Sequence, residues 1–199
     1  RQVSSAASDV YKRQDLAAKL IKANLQVLIF NQRSIEEILE VILTIGRIVS
    51  AEDKAQKLVD GYKKRLNLLR EKSEKIQNKP RVYFEEWDDP TFSGIRWVSE
   101  LIEIAGGEDI FANKSHGKLA MEREIQWSDV IEKNPDVILA SWCGKPVDID
   151  SIKKREGWNE ITAIKNDRIH EIDSSIILQP GPACLTDGLK VLEQLITSK

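Results

Sequence analysis

The residues with chemistry to offer follow short apolar runs. RVYFEE (residues 81–86) leads into Trp87, Asp88 and Asp89, and DVILA (136–140) leads into Ser141, Trp142, Cys143, Gly144 and Lys145. A third group, Gln179, Pro180, Gly181 and Pro182, stands before the last apolar-periodic stretch. If the runs are parallel strands, these groups share the carboxyl-end rim of one sheet, where open α/β sheets bind ligands. Tryptophan brings a large rigid apolar face with one polar tip, suited to covering a broad planar ligand. Trp87 and Trp142 are therefore read as part of a binding face. Trp97, Trp127 and Trp158 fall at helical or pre-helical positions, where packing is the expectation.

The acids Glu85, Glu86, Asp88 and Asp89 could form an acid/base pair or a metal site, since paired carboxylates with separated pKa values do such work. Adjacent residues on a strand point to opposite faces, so only one of Glu85 and Glu86 can face the rim. His116, in the polar string NKSHGK, and His170, in a strand, lack metal-ligand spacing. Cys143 with Lys145 could act as an activated thiol, but no histidine and orienting acid pair with it, so catalysis is not expected. Cys143 and Cys184 are read as two unpaired thiols rather than a bridge, and they leave the redox compartment open. Gly106-Gly107 lacks the spacing of a phosphate loop and reads as a helix C-cap.

The elements that must hold these groups alternate in period. Residues 25–30 (LQVLIF) read as a strand buried on both faces. Ser34 and Glu37 form a capping box for a helix carrying Ile35, Ile38, Leu39, Ile42 and Ile45. A second helix is expected from Ser50, with Glu52 and Asp53 in its first turn, to about Gln77; it would be about 40 Å long. Pro80 then stops it. Beyond it come strand 81–86, helix 95–105, short helix 128–133, strand 136–140, a short helix near 149–154, strand 168–172 and helix 183–197. That order implies an α/β layer with a mostly parallel sheet.

Composition agrees with a folded chain: 199 residues, 41% hydrophobic and 31% charged. Thirty Lys and Arg against 32 Asp and Glu give a net charge of -2, without a basic block. That argues against nucleic-acid and polybasic membrane roles. Every apolar stretch falls short of the roughly 20 residues that span a bilayer. Residues 1–14 (RQVSSAASDVYKRQ) have neither periodicity nor a signal-peptide core and read as a non-native leader, so a secretion signal would have lain in a missing upstream portion.

From about residue 25 the sequence resembles the periplasmic binding proteins whose two α/β lobes are joined by one long helix, the group serving cobalamin, ferric siderophores and haem. The strings that carry the resemblance are SIEEILEVILTIGRIVSAEDKA, RVYFEEW, SGIRWVSELIEIAGGEDIF, DVILASWCGK and ILQPGPACLTDGL. Together they are most similar to the cobalamin-binding branch. The resemblance implies a remnant of an N-terminal lobe over 15–49, an interlobe helix over 50–78 and a Rossmann-like three-layer C-terminal lobe over 79–199. It also implies a monomeric extracytoplasmic protein, periplasmic or membrane-anchored, that binds cobalamin or a related corrinoid without a cofactor of its own and hands it to an ABC permease. Carried over by position, Glu86, Trp87, Trp142 and Gln179 to Pro182 would form half of the ligand cleft. With the other half missing, this piece alone is expected to bind cobalamin weakly or not at all.

Members of the group dock on the permease through an acid at the start of the helix before an xPD strand. Here Ser128 stands where glutamate is expected, so Asp129 is the candidate, with Glu132 behind it; helix capping by Ser128 and Asp129 explains the same residues. A ferric siderophore or haem is the competing ligand on the same fold; the siderophore, the nearest of these, would call for more Arg and Tyr on the rim. An α/β-sheet enzyme using Cys143 or Glu86 is the reading from another class.

Overall fold

The computed structural model describes residues 15–198. Helix α1, Ile35–Ile48, begins with the expected capping box: Ser34 Oγ accepts from Glu37 N at 3.2 Å, and a Glu37 oxygen accepts from Ser34 N at 3.2 Å. Ser50 does not open the next helix. It has a φ of +53° and closes α1, its N–H reaching Arg47 O while that of Ala51 reaches Gly46 O at 2.8 Å, the paired bonds of a Schellman cap. Helix α2, Glu52–Ser73, therefore starts after Ala51 without a side-chain cap, its first turn carrying Glu52 and Asp53. It is 22 residues long, about 33 Å, shorter than expected. Ala55, Val59, Leu66 and Leu69 are its buried stripe.

Strands β1 (Arg81–Asp88), β2 (Thr91–Ser93), β3 (Glu108–Asp109), β4 (Val137–Ala140) and β5 (Ile169–Glu171) form one sheet in the order β2-β1-β4-β5, with β3 also on β1. β1 runs parallel to β3 and β4, and β4 parallel to β5; β2 is antiparallel, with a bulge between Glu85 and Trp87. Period-two alternation sorts the strand residues into two cores. Val82, Phe84, Val137 and Leu139 face α1, α2, α3 (Arg96–Ile104) and the last helix, while Tyr83, Ile138, Ala140 and Ile169 face the opposite layer. That layer holds α4 (Trp127–Lys133), α5 (Ile149–Lys153), α6 (Thr162–Lys165) and the 3-10 turn Trp158–Glu160. The result is the expected α/β three-layer arrangement.

Gly106, at a φ of +98°, caps α3 with Gly107, whose N–H meets Ile102 O at 3.0 Å. After β5 come α7 (Ser174–Ile177), a wide π-helical turn over Cys184–Gly188 and α8 (Leu189–Thr197), where a single helix was expected. The wide turn brings Gly188 against the Ile176 carbonyl, a place where a Cβ would lie 2.4 Å from that oxygen.

The strand expected at residues 25–30 is absent among the described residues. The segment pairs with no strand, and Leu25, Leu28 and Ile29 are more than half exposed. An apolar run becomes a doubly buried strand only where a sheet supplies ladder partners on both sides, and none of the described strands lies beside it. No described helix is long and apolar enough to cross a membrane.

Candidate functional site

The parallel strands end together. Glu85 of β1 pairs with Ala140 of β4, and Ala140 with Glu171 of β5, so Trp87 and Trp142 leave neighbouring strands at the same level. Tyr83, Glu85 and Trp87 lie on one face of β1, Tyr83 and Trp87 packing in the same cluster and Glu85 accepting from the Tyr83 hydroxyl. Trp87 stays partly exposed there, whereas Trp142 keeps only 4% of its surface. Between the two indoles stands the Lys145 ammonium, 4.5 Å from one ring centroid and 4.7 Å from the other, with both Asp88 oxygens at 2.8 Å. The lysine considered as an activator of Cys143 is thus engaged elsewhere.

Glu85 is fully buried. Arg155 grips it through both terminal nitrogens at 2.5 and 2.9 Å, Tyr83 donates its hydroxyl at 2.9 Å, and Trp142 donates its Nε1–H at 3.2 Å. Arg155 lies in turn against the rings of Trp158, at 4.5 Å, and Trp127, at 4.9 Å. Burial, reinforced by the Glu85 carboxylate, pushes the Tyr83 phenol well above its usual range. Glu86 sits at the bulge with a different set of partners. Arg123 contacts its two oxygens at 2.6 and 2.8 Å, and Ile95 N donates at 2.9 Å. Its carboxylate is committed to holding the start of α3, so what it lends the rim is fixed, neutralised charge.

The loop at 179–182 is tied to a different part of the chain: Gln32 Nε2 donates to Pro180 O at 2.9 Å. The Cys184 thiol donates to Gly181 O at 3.1 Å, and burial raises its pKa to about 11. Cys143 is exposed, and both cysteines are free thiols. Trp97 is buried and bonded to Ile177 O, and Trp158 is fully buried, as packing requires. Trp127 departs from that expectation: it is 43% exposed, its Nε1 donating to Thr91 Oγ1 at 3.0 Å. The reason is its place at the first residue of α4, with one ring face on Arg155 and the other toward solvent.

Ser128 and Glu132 are exposed on α4, while Asp129 is half-buried and accepts from Gln126 N at 3.1 Å. Asp129 is therefore a capping residue of a helix that starts one residue earlier than expected. Beside it opens a cleft of about 350 Å³ lined by Asp88, Asp89, Thr91, Glu124 and Trp127, among others. His116 is exposed in its loop; His170 is half-buried in β5, and burial, then Arg168, lowers its pKa. Among the described residues no cluster of three or more His, Cys, Asp or Glu side chains is placed to hold a metal ion.

Arg123, Arg155 and the bridging role of Lys145 were missed from sequence. A signal existed for the arginines: two adjacent acids at the end of a buried strand need cationic partners, because an unpaired buried carboxylate is too costly to keep.

The sequence matches the periplasmic binding protein family over residues 5–176. The chain belongs to that family. Among curated relatives of this periplasmic binding protein is an uncharacterized ABC transporter substrate-binding lipoprotein, YvrC, of Bacillus subtilis, 28% identical over 96% of this chain and 58% of the relative. A vitamin B12-binding protein of Vibrio parahaemolyticus is 25% identical over 83% of this chain and 58% of its own length. The chain thus spans a little more than half of each. A crystal structure described as a possible iron-binding periplasmic solute-binding protein of Staphylococcus epidermidis superposes with a TM-score of 0.76 at 24% identity, covering 93% of this chain and 71% of that one. That likeness speaks for the fold.

Proposed function

We propose that this chain is the C-terminal part of the extracytoplasmic substrate-binding component of an ABC importer, and that the parent protein carries cobalamin or a related corrinoid in a cleft closed by a second lobe. The observation that carries the reading is the pair of indoles, Trp87 and Trp142, brought to one rim by adjacent parallel strands and bridged by one ammonium. The vitamin B12-binding and ABC-lipoprotein relatives support the same reading. In this reading Glu86, Trp87, Trp142 and the loop Gln179 to Pro182 form one wall of the cleft, and Asp129, with Ser128 and Glu132, meets the permease.

The charge of the rim favours a corrinoid over an anionic ferric chelate. Anionic oxygens call for free guanidinium or ammonium groups. Arg123 and Arg155 are buried against Glu86 and Glu85, and Lys145 is paired with Asp88. Indole faces and neutralised acids suit a large, amide-fringed ring.

The test titrates this chain and its full-length parent with cyanocobalamin, cobinamide and a ferric siderophore, following tryptophan fluorescence. Saturable quenching of the parent by the two corrinoids is expected, weakened about tenfold in Trp87→Leu by the lost stacking surface. Quenching by the siderophore alone, or by none of the three, would remove the corrinoid assignment.

A further inference from the structure

The ends of β1 and β4 already hold a cation. Two indole faces at 4.5 and 4.7 Å and a carboxylate at 2.8 Å surround the Lys145 ammonium. These are the components of an alkylammonium site: two ring quadrupoles attract the charge, apolar carbon packs on the rings, and the acid supplies the counter-charge.

Walls and occupant are held very differently. Trp142 is buried and bonded to Glu85, which Arg155 and Tyr83 fix in turn. Trp87 leaves the sheet itself and donates to Asp89 O at 3.1 Å. Lys145 instead rides on an exposed turn at residues 143–146. Gly144 in that turn has a φ of +82° and open space around it, and the Lys145 N–H reaches Trp142 O only at 3.4 Å. The Lys145 side chain keeps 40% of its surface exposed. The walls are tied into the sheet and the buried Glu85 network, whereas their occupant is carried by an exposed turn.

We propose that the recess bounded by Trp87, Trp142 and Asp88 is a binding site for small organic ammonium groups, and that Lys145 is its internal occupant, swinging out with the 143–146 turn when an external cation enters. A quaternary ammonium suits it best, with methyl groups that lie on the indoles and no N–H to satisfy. Lys145 then acts as a tethered competitor at high local concentration, lowering the apparent affinity for any external cation by the fraction of time the recess is open. The geometry carries this inference independently of the corrinoid reading.

The probes are tetramethylammonium and n-butylammonium chlorides, titrated against sodium chloride at equal ionic strength, with tryptophan fluorescence and saturation transfer to the probe methyl protons as readouts. Lys145→Ala, a change confined to an exposed turn, is expected to bind tetramethylammonium about tenfold or more tighter than the unsubstituted chain, in line with the loss of a cation held on two rings. Adding Trp87→Leu or Asp88→Asn to that variant should abolish the gain. Equal titrations of the unsubstituted chain and Lys145→Ala would overturn the proposal, as would binding that survives both second substitutions. Cyanocobalamin titrated in parallel reports on the corrinoid reading separately, so either assignment can fail alone.

Discussion

Replacing Arg155 by Met tests the buried core of the rim. The substitution removes the guanidinium but keeps an apolar stem to lie between Trp127 and Trp158. Glu85, with no exposed surface, would retain only two neutral donors, the Tyr83 hydroxyl and the Trp142 indole. Removing one partner of a buried pair and stranding the other costs about 3–5 kcal/mol. For a chain of this size each kcal/mol moves Tm by about 2–4 °C, so Arg155→Met should lower Tm by roughly 6–20 °C. Glu85→Gln in the same background removes the stranded charge while keeping the shape, and should recover most of the loss. Urea and thermal denaturation followed by far-UV circular dichroism measure all three proteins. A loss below about 1 kcal/mol in Arg155→Met, or a further loss on adding Glu85→Gln, would refute the view of Glu85–Arg155 as a mutually dependent buried pair.

Thiol labelling at neutral pH should modify the exposed Cys143 quickly, while Cys184, buried and with its pKa raised to about 11, reacts only on unfolding; equal rates would contradict the packing of the 181–184 turn. Two glycines should respond in opposite directions to alanine. Gly188→Ala, whose Cβ would meet Ile176 O at 2.4 Å, should cost about 1–3 kcal/mol, whereas Gly61→Ala, in open space on α2, should add up to about 1 kcal/mol, both read from urea midpoints.

The fold was largely legible because its signals are local. The Ser34 capping box, the Gly106 cap and the two apolar runs that became β1 and β4 each depend on residues a few positions apart. The misreadings came where distant partners decide. Residues 25–30 have strand composition but no neighbouring strand among the described residues, and Ser50 looked like a helix start yet serves as the left-handed cap of the helix before it. At the rim, sequence placed Trp87 and Trp142 together correctly, since strand ends of a parallel sheet share a level. It did not show that Lys145 would cover Trp142 or that Glu86 would be held by Arg123, whereas the capping of its own helix by Asp129 was one of the two readings the sequence offered. The two missed contacts rest on a side chain reaching across a turn, or on one from far along the chain, and periodicity carries no trace of such reach.

The outer strands β2 and β5 have three residues each, and β2 is hydrogen-bonded along its far side, Ile125 N meeting Thr91 O at 3.0 Å. A border this short gives a visiting polypeptide little backbone to zip onto. Partners that add a strand are therefore disfavoured here, and recognition falls to the loops and side chains at the strand ends, where a substitution can retune binding without disturbing the sheet beneath.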